Sequence, residues 1–326
     1  MNNTLWNLQN VTLSSGSGMR LDSVTLEIVS GVTAILGYSG AGKSSLVSLL
    51  AGMERPSSGE LRFQVNAVQE KQGCLPLYWA PQGGGLWPHL TVRQHLDTVM
   101  APKAAESAKE TDKLLDLFGL THRSHAVPEE LSQGEQSRLS LARCLAAGPA
   151  VLLLDEPLAH VDPMMTPVYW NHLREHIRQT KASVVFTSHT PDIVMAESEQ
   201  VICLKNGRIL YAGSTTDLYN RPPNEEVARF AGPTNWFTED ELHLWLSSLP
   251  DNHHGSLNIR PECIQLQPTE NGPASILSHR HHGSHAITVL KHRESGTTRE
   301  IIHRPAYGQH SVDQTVSIIR HETHHE

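Results

Sequence analysis

The sequence predicts a mostly parallel α/β sheet followed by a small all-β domain. Buried apolar runs alternate with stretches of helical spacing over roughly the first 220 residues, which is typical of a parallel sheet covered by helices. Beyond residue 237, short strands are broken by Gly, Pro, Asn and Ser with little helix signal. The Pro-containing stretch 221–237 is typical of a linker, and we predict one domain over 1–230 and another over 231–326.

The first part of the chain predicts a hairpin leading into a central strand. Residues 4–13 and 20–29 alternate apolar and polar side chains around a turn-like stretch, and 31–36 is a continuous apolar run. A helix is expected directly after it. The turn at 56–59 then precedes a strand over 61–65 and another over 75–80.

The middle of the chain changes character. Lys, Glu and Ala dominate residues 92–130, which predicts a short helical insert. Ser132 is a natural N-cap for the next helix, with Glu135 at the capping-box position. A buried strand over 150–154, a helix over 165–180, a strand over 183–187 and a hairpin around Asn206 and Gly207 follow.

Composition restricts the function classes. The chain has 326 residues and a net charge of −8, which argues against nucleic-acid binding and against direct binding to anionic membranes. Four isolated cysteines (Cys74, Cys144, Cys203 and Cys263) show no framework spacing and indicate reduced thiols of a cytosolic protein. We see no signal peptide and no apolar run long enough to span a bilayer.

One glycine-rich stretch indicates a triphosphate site. Between the apolar run 31–36 and a helical pattern stands Gly-Tyr-Ser-Gly-Ala-Gly-Lys-Ser-Ser, with its candidate contacts Gly37, Ser39, Gly40, Ala41, Gly42, Lys43, Ser44 and Ser45. Its glycines let backbone N–H groups turn inward at the positive end of the helix. Lys43 is expected to reach the β- and γ-phosphates, and the Ser44 hydroxyl to bind Mg²⁺.

A second phosphate-chemistry signal is the acidic pair that follows the buried strand 150–154. We expect Asp155 to hold Mg²⁺ opposite Ser44, and Glu156 to orient or deprotonate the attacking water. An acidic pair alone is more often a helix cap. Here the acidic pair follows the phosphate loop at a sequence distance that favours the functional interpretation.

The ordered motifs resemble the ATP-binding subunit of an ATP-binding cassette (ABC) transporter over roughly residues 1–230. They are the phosphate loop, Gln82, Leu131–Glu135, the acidic pair 155–156, Leu158–Asp162 and His189. The resemblance implies a RecA-type P-loop domain with an antiparallel β subdomain and a helical subdomain at about 92–130. It also implies a head-to-tail homodimer around two ATP molecules.

The resemblance assigns further roles. Gln82 matches the family's glutamine that senses Mg²⁺ and links to the membrane subunit. His189 matches the family's histidine that contacts the γ-phosphate. Three residues are implied to act in trans on the partner's ATP or at the dimer seam: Ser132, Gly134 and Asp162. Taken singly, His189 and Gln82 are more typical of structural residues, so their order and spacing carry the assignment.

Two features depart from the family pattern. The signature Leu-Ser-Gln-Gly-Glu has Gln133 and Glu135 where Gly and Gln are usual, so we expect an active site with modified tuning. No aromatic residue stands near 14–18, where the family stacks the adenine, although Trp6 or Met19 could substitute. Because base stacking contributes about 1 kcal/mol or more, we expect weaker or less base-selective nucleotide binding.

Three segments resemble importers that carry a C-terminal oligonucleotide-fold-type (TOBE) regulatory domain. They are 85–92, then 218–222 together with 227–232 and Asn235, and finally 257–262. We therefore expect the ATPase of an importer, bound to two permease subunits at the cytoplasmic face of the membrane and served by an external substrate-binding protein. The cargo expected is a small inorganic anion or a metal ion, with a lean to the molybdate, sulfate or iron branch; polyamine or sugar import is the alternative.

The sequence argues against three other classes of protein. A soluble chromosome or repair ATPase of the same superfamily would need long coiled coils, which this chain lacks. A translation factor would need two cassettes and a basic surface, whereas this chain has one cassette and is acidic. A catalytically idle paralogue would lack the intact catalytic set that this sequence has.

Histidine is concentrated late in the chain, where twelve of the 21 histidines follow residue 250. A metal interpretation is suggested by His279, His281, His282, His285, His321, His324 and His325. A solvated polar tail is the favoured alternative.

Overall fold

The computed structural model describes residues 4–16, 18–64, 75–100, 104–246, 255–305 and 311–321. The chain divides into two compact units, Met1–Thr216 and Asp217–Glu326. Among the described helices, none is long and apolar enough to cross a membrane.

The first unit combines a mostly parallel sheet with an antiparallel one. Its strands are β1 (Thr4–Ser15), β2 (Gly18–Val29), β3 (Val32–Leu36), β4 (Ser58–Phe63), β5 (Leu77–Ala80), β6 (Val151–Leu154), β7 (Ser183–Ser188), β8 (Gln200–Lys205) and β9 (Arg208–Ser214). Its helices are α1 (Lys43–Leu50), α2 (Val92–Val99), α3 (Ala104–Leu117), α4 (Gln133–Ala147), α5 (Thr166–Thr180) and α6 (Pro191–Glu197), while α7 (Thr215–Asn220) spans the division between the units.

The six-stranded sheet has the order β5-β6-β7-β3-β8-β9. Every pair in it is parallel except β8–β9, so the carboxyl ends of β3, β6 and β7 lie at one edge. The three-stranded antiparallel sheet has the order β2-β1-β4. The predicted parallel α/β architecture with an antiparallel subdomain is confirmed.

Alternation explains how the antiparallel sheet forms. Leu8, Leu26 and Ile28 point into a core that they share with Ile35 and with Leu46 of helix α1. Polar residues between them stay on the exposed face, which fixes the register of the hairpin. Strand β6, by contrast, is buried at every position, as expected for a central parallel strand.

The second unit is mostly antiparallel β. Its strands are β10 (Asn235–Phe237), β11 (Leu257–Ile259), β12 (Ile264–Pro268), β13 (Ala274–His281), β14 (Ala286–His292), β15 (Thr298–His303) and β16 (Thr315–Arg320), and its helices are α8 (Glu225–Phe230) and α9 (Glu239–Trp245). Five strands form one sheet in the order β12-β16-β13-β14-β15, and β10 pairs with β11. The predicted all-β region is confirmed, with a core that includes Phe237, Trp245, Ile276, Leu290 and Ile318.

The linker prediction for 221–237 is wrong. Helix α8 and strand β10 lie within it, and the Asn224 side chain caps α8 by accepting the Val227 N–H at 2.9 Å. Buried Arg260 holds the segment by donating to several of its carbonyls, among them Ala228 O at 3.2 Å and Pro233 O at 3.3 Å. Helix α9 was also missed, although Thr238 and Glu241 form the capping box of its first turn.

Most strand boundaries lie within two residues of the prediction, and strands β4 and β5 illustrate the differences. Strand β4 begins at Ser58, inside the predicted turn, and ends at Phe63, while Val65 lies outside the described residues. Strand β5 begins at Leu77 rather than at Leu75.

Candidate nucleotide-binding site

The phosphate loop joins β3 to α1, and two of its glycines are required by their surroundings. Gly42 is the N-cap of α1 with φ at 105°, and a Cβ there would lie 2.9 Å from Arg20 O. A Cβ at Gly37 would lie 2.6 Å from Leu204 O. Any other residue at either position would displace backbone, so the loop geometry depends on glycine.

A cleft of about 800 Å³ surrounds this loop, a size suited to a nucleotide. Its lining contains most residues of the predicted site together with several that the sequence did not single out. Those lining residues are Met19, Arg20, Tyr38, Ser39, Gly40, Ala41, Gly42, Lys43, Ser44, Ser45, Gln82, Glu156, His189, Asn206 and Gly207.

Three charged or ionisable groups meet at the phosphate end of the cleft. Lys43 Nζ lies 3.3 Å from Glu156 Oε1, and His189 Nδ1 lies 3.5 Å from the same oxygen. Lys43 also donates to Gly37 O at 2.9 Å, so its ammonium group is held against the loop. Because Lys43 and Glu156 are both largely buried, their charges act in a region with little solvent screening.

The two acidic residues are positioned differently. Glu156 lines the large cleft, whereas Asp155 lines the smaller cavity beside it. Asp155 is buried at the end of β6 and accepts a hydrogen bond from the Thr187 hydroxyl at 2.7 Å. The Thr187 hydroxyl in turn accepts the backbone N–H of Glu156 at 2.8 Å. From the sequence alone, Thr187 was predicted only as part of a strand, so its hydrogen bonds to Asp155 and Glu156 were missed.

The loop after Gln82 is held against helix α4. Arg143, which is 2% exposed, donates to Gly84 O at 2.6 Å and to Gly85 O at 2.9 Å. Its guanidinium group also lies 4.6 Å from the centre of the Trp87 ring. These contacts connect the loop that begins at Gln82 to the helix that begins at the signature sequence. Sequence reasoning missed Arg143 because a single arginine in a helix gives no signal.

His95 of helix α2 supports the same loop from another side. Its Nε2 accepts the Trp87 N–H at 2.9 Å, and its Nδ1 lies 2.8 Å from Thr91 O. This pairing fixes the neutral tautomer with the proton on Nδ1. Burial is the main reason that the pKa of His95 is lowered from its usual value.

The signature segment begins helix α4, as predicted. Ser132 is the N-cap, and its hydroxyl accepts the Glu135 N–H at 3.2 Å while Glu135 Oε2 accepts the Ser132 N–H at 2.8 Å. Glu135 Oε1 also accepts from Arg123 Nε at 3.2 Å. The hydrogen bond from the Ser132 backbone is the largest cause that lowers the pKa of Glu135.

Five predicted residues do not line the large cleft of this single chain: Gly37, Ser132, Gly134, Asp155 and Asp162. Gly134 packs closely, since a Cβ there would lie 3.1 Å from His160 O. The Asp162 carboxylate accepts the Met164 N–H at 2.8 Å and so shapes the turn before α5.

The end of the cleft near Met19, where the resemblance places the base, is lined by no aromatic residue from the described part of the first hairpin. The suggestion that Trp6 replaces the adenine-stacking residue is wrong, because Trp6 is fully buried and donates to Leu50 O at 3.2 Å. Met19 lines the cleft and is 61% exposed. Tyr38 of the phosphate loop also lines it.

The histidines of the second unit have several different partners. His279 Nδ1 lies 2.7 Å from the Thr288 hydroxyl, which lies 2.8 Å from Nε2 of buried His303. His282 and His285 stack across a turn with ring centroids 5.4 Å apart. The described part of the chain contains no group of three or more His, Cys, Asp or Glu that could hold a metal. His324 and His325 lie outside it.

Comparisons with known proteins show which family the chain resembles in sequence. The family described as "ABC transporter" matches residues 21–159. The Fe(3+) ions import ATP-binding protein FbpC of Serratia marcescens is 30% identical over 275 residues, covering 78% of this chain and 80% of that protein. A probable sulfate/thiosulfate import ATP-binding protein CysA of Chlorella vulgaris is 35% identical over 230 residues, covering 69% of this chain and 98% of that protein.

Solved structures share the fold. A dimeric ATP-binding cassette in a post-hydrolysis state, bound to ADP and Pi, matches with a TM-score of 0.55 and 23% identity, covering 65% of this chain and 99% of that one. CbiO1 from Clostridium perfringens, part of the ABC transporter complex cbiONQ, matches with a TM-score of 0.54 and 26% identity, covering 67% and 92%. The chain therefore belongs to the ABC transporter family, among its import ATP-binding subunits.

Proposed function

We propose that the cleft of residues 37–45 binds MgATP and that Glu156 activates the water that hydrolyses it, to power an importer. The observation that carries the proposal is the meeting of Lys43, Glu156 and His189 at the phosphate end of the cleft. Phosphoryl transfer to water depends on positioning and on neutralised charge, and this arrangement can supply both.

The residues have distinct proposed roles. The loop amides and Lys43 bind the β- and γ-phosphates, and His189 contacts the γ-phosphate. Glu156 orients the attacking water or takes its proton. Because Asp155, Ser44 and Gln82 offer the oxygen ligands that Mg²⁺ prefers, this donor set fits that ion. When bound, Mg²⁺ would neutralise charge on the phosphate oxygens.

We propose that a second copy of the chain completes the site. Ser132 and Gly134 lie at the start of α4, outside the cleft lining, so they are available to the γ-phosphate of ATP held by that copy. Asp162 would lie at the seam between the copies. A site that is finished only on dimer closure lets hydrolysis report on a conformational change.

The transport partners are also proposed. We infer two permease subunits at the cytoplasmic face of the membrane and an external substrate-binding protein. Residues 1–230 would form the ATP-binding domain and 231–326 the regulatory domain. The relatives named for Fe(3+) and for sulfate or thiosulfate import support a small inorganic anion or a metal ion as cargo.

Glu156→Gln tests the catalytic assignment. The variant should bind ATP, dimerise in its presence and hydrolyse it at least 100-fold more slowly, because the amide cannot take a proton. Glu129→Gln, the same change at an exposed position, is the control and should leave ATP turnover unchanged. Normal turnover by Glu156→Gln would contradict the proposal.

The base end of the cleft leads to a separate test. With Met19 as the exposed apolar contact from the first hairpin, we expect ATP and GTP to bind with affinities within about fivefold of each other. Equilibrium titration with fluorescent ATP and GTP analogues measures this. Tight binding with a strong preference for ATP would count against it.

A further inference from the structure

Thr187, at the carboxyl end of strand β7, lies between the two acidic residues of the site. Its hydroxyl donates to Asp155 Oδ1 at 2.7 Å and accepts the Glu156 N–H at 2.8 Å. A threonine hydroxyl has one proton to donate and two lone pairs to accept with. The hydroxyl of Thr187, a residue that is 1% exposed, therefore connects the two consecutive acidic residues Asp155 and Glu156.

The backbone that Thr187 holds is strained. Glu156 has φ at 50° and Leu158 has φ at 65°, and neither is glycine. Such left-handed conformations are costly for side chains with a Cβ and persist only where surrounding contacts impose them. The hydrogen bond from Glu156 N–H to Thr187 is one contact that fixes the backbone from which the Glu156 carboxylate reaches Lys43 and His189.

Parallel pairing places Thr187 at this point. Leu154, the last residue of β6, pairs with Phe186 of β7. The residues that follow them, Asp155 and Thr187, therefore lie side by side just beyond the carboxyl end of β6. A valine at position 187 would keep the β-branched shape but could make neither hydrogen bond.

We propose that Thr187 is a positioning residue for ATP hydrolysis. Its hydroxyl fixes the rotation of the Asp155 carboxylate by occupying Oδ1, so that the carboxylate would be oriented to hold Mg²⁺ or its water. It also fixes the backbone of Glu156, and so the direction from which that carboxylate meets the attacking water. This inference rests on the catalytic roles proposed above for Asp155 and Glu156.

The test compares Thr187→Val with Thr187→Ser, which keeps the hydroxyl. We expect the kcat for ATP hydrolysis to fall about 10- to 100-fold in Thr187→Val, the effect of losing hydrogen bonds to a charged and a backbone group. Affinity for a non-hydrolysable ATP analogue should stay within about threefold, because Thr187 does not line the cleft that holds the phosphate loop. Thr187→Ser should keep kcat within about threefold.

Thr33→Val is the matched control. Thr33 is also a buried threonine of the same sheet, but its partner on β7 is Val185, two residues nearer the start of the strand. A general effect of burying a valine would lower kcat equally in both variants, and that result would overturn the inference. If Thr187→Val does not fold, Thr187→Ala carries the same expected loss of kcat.

Two further outcomes separate this inference from the proposed function. Normal turnover by Thr187→Val beside an inactive Glu156→Gln would overturn the role of Thr187 alone. Normal turnover by Glu156→Gln would overturn the proposed catalytic mechanism, and the inference with it.

A purely structural role of Thr187 has its own signature. A parallel loss of ATP affinity, melting temperature and kcat in Thr187→Val would show that role and would also overturn the inference.

Discussion

Glu135 stands where the family usually has glutamine, and the structure predicts what reversing this departure would do. Glutamine can still accept the Ser132 N–H, so Glu135→Gln keeps the capping box. The variant loses the ion pair with Arg123, whose Nε lies 3.2 Å from Glu135 Oε1. Because the Arg123 side chain is 45% exposed, solvent screening limits this loss to about 0.5–1 kcal/mol of unfolding free energy.

Two other variants fix the scale of this effect. Glu135→Ala removes the capping acceptor as well, which adds about 1 kcal/mol to the loss. Glu130→Gln is the matched control, because Glu130 accepts the Val127 N–H in the same way at 2.9 Å but has no ion pair among the described residues. We expect the control to change the unfolding free energy by less than about 0.3 kcal/mol.

Urea unfolding at pH 7 measures these differences, and pH gives a second check. The pKa of the Glu135 carboxyl is lowered in the folded chain. Its contribution to stability is therefore complete above the unfolded pKa near 4.3 and is lost as the pH falls through the lower folded value. The deficit of Glu135→Gln should shrink in acid. An unchanged or higher stability at pH 7 would refute the reasoning.

The same substitution separates stability from chemistry. The Ser132 hydroxyl accepts from the backbone N–H of residue 135, not from its side chain. Glu135→Gln should therefore leave ATP turnover within about threefold. A larger change would mean that the Glu135 carboxylate influences ATP turnover, in line with the expectation that Gln133 and Glu135 alter the surroundings of the site.

Three further predictions concern buried polar side chains. Arg143→Lys cannot donate to Gly84 O and Gly85 O in the same forked geometry, so urea unfolding should show a loss of about 1.5–3 kcal/mol; no loss would contradict the bidentate contact. Since the pKa of His95 is lowered, its unfolded form binds the proton more strongly, and stability should fall as the pH drops below about 6.5. His95→Gln should flatten that dependence in thermal melts; an unchanged slope would contradict it. Arg260→Lys, measured against exposed Arg293→Lys, should lower the melting temperature, because lysine cannot reach the carbonyls that Arg260 bridges; equal melting temperatures would contradict this.

The sequence could predict the phosphate end of the cleft because its groups are local. Gly42, Lys43 and Ser44 are consecutive, and their roles depend on a strand and a helix that adjoin them in the chain. Thr187 was not predictable in the same way, because its partners are set by which strands pair and in what register. Its only signal was a polar residue at the end of a buried strand.

Helix α9 shows a different reason for failure. It has only 7 residues, too few for apolar periodicity to be recognised, and the Thr238–Glu241 capping box alone does not distinguish a helix from a turn. Its apolar side chains Leu242 and Trp245 are buried in the core of the second unit. Tertiary packing rather than local preference therefore stabilises this helix.

The two ends of the cleft differ in how they can discriminate between ligands. At the phosphate end, Lys43 is held by the loop carbonyls, so directional polar groups face the ligand. Arg20, which follows Met19 in the chain and also lines the cleft, is already bound to Glu54 through contacts of 2.6 and 2.8 Å and donates to Ser45 at 3.0 Å. A guanidinium group engaged in this way has fewer donors left for the base, and exposed Met19 adds apolar contact without direction. We therefore expect selection at this cleft to act mainly on the triphosphate, near the groups proposed for hydrolysis.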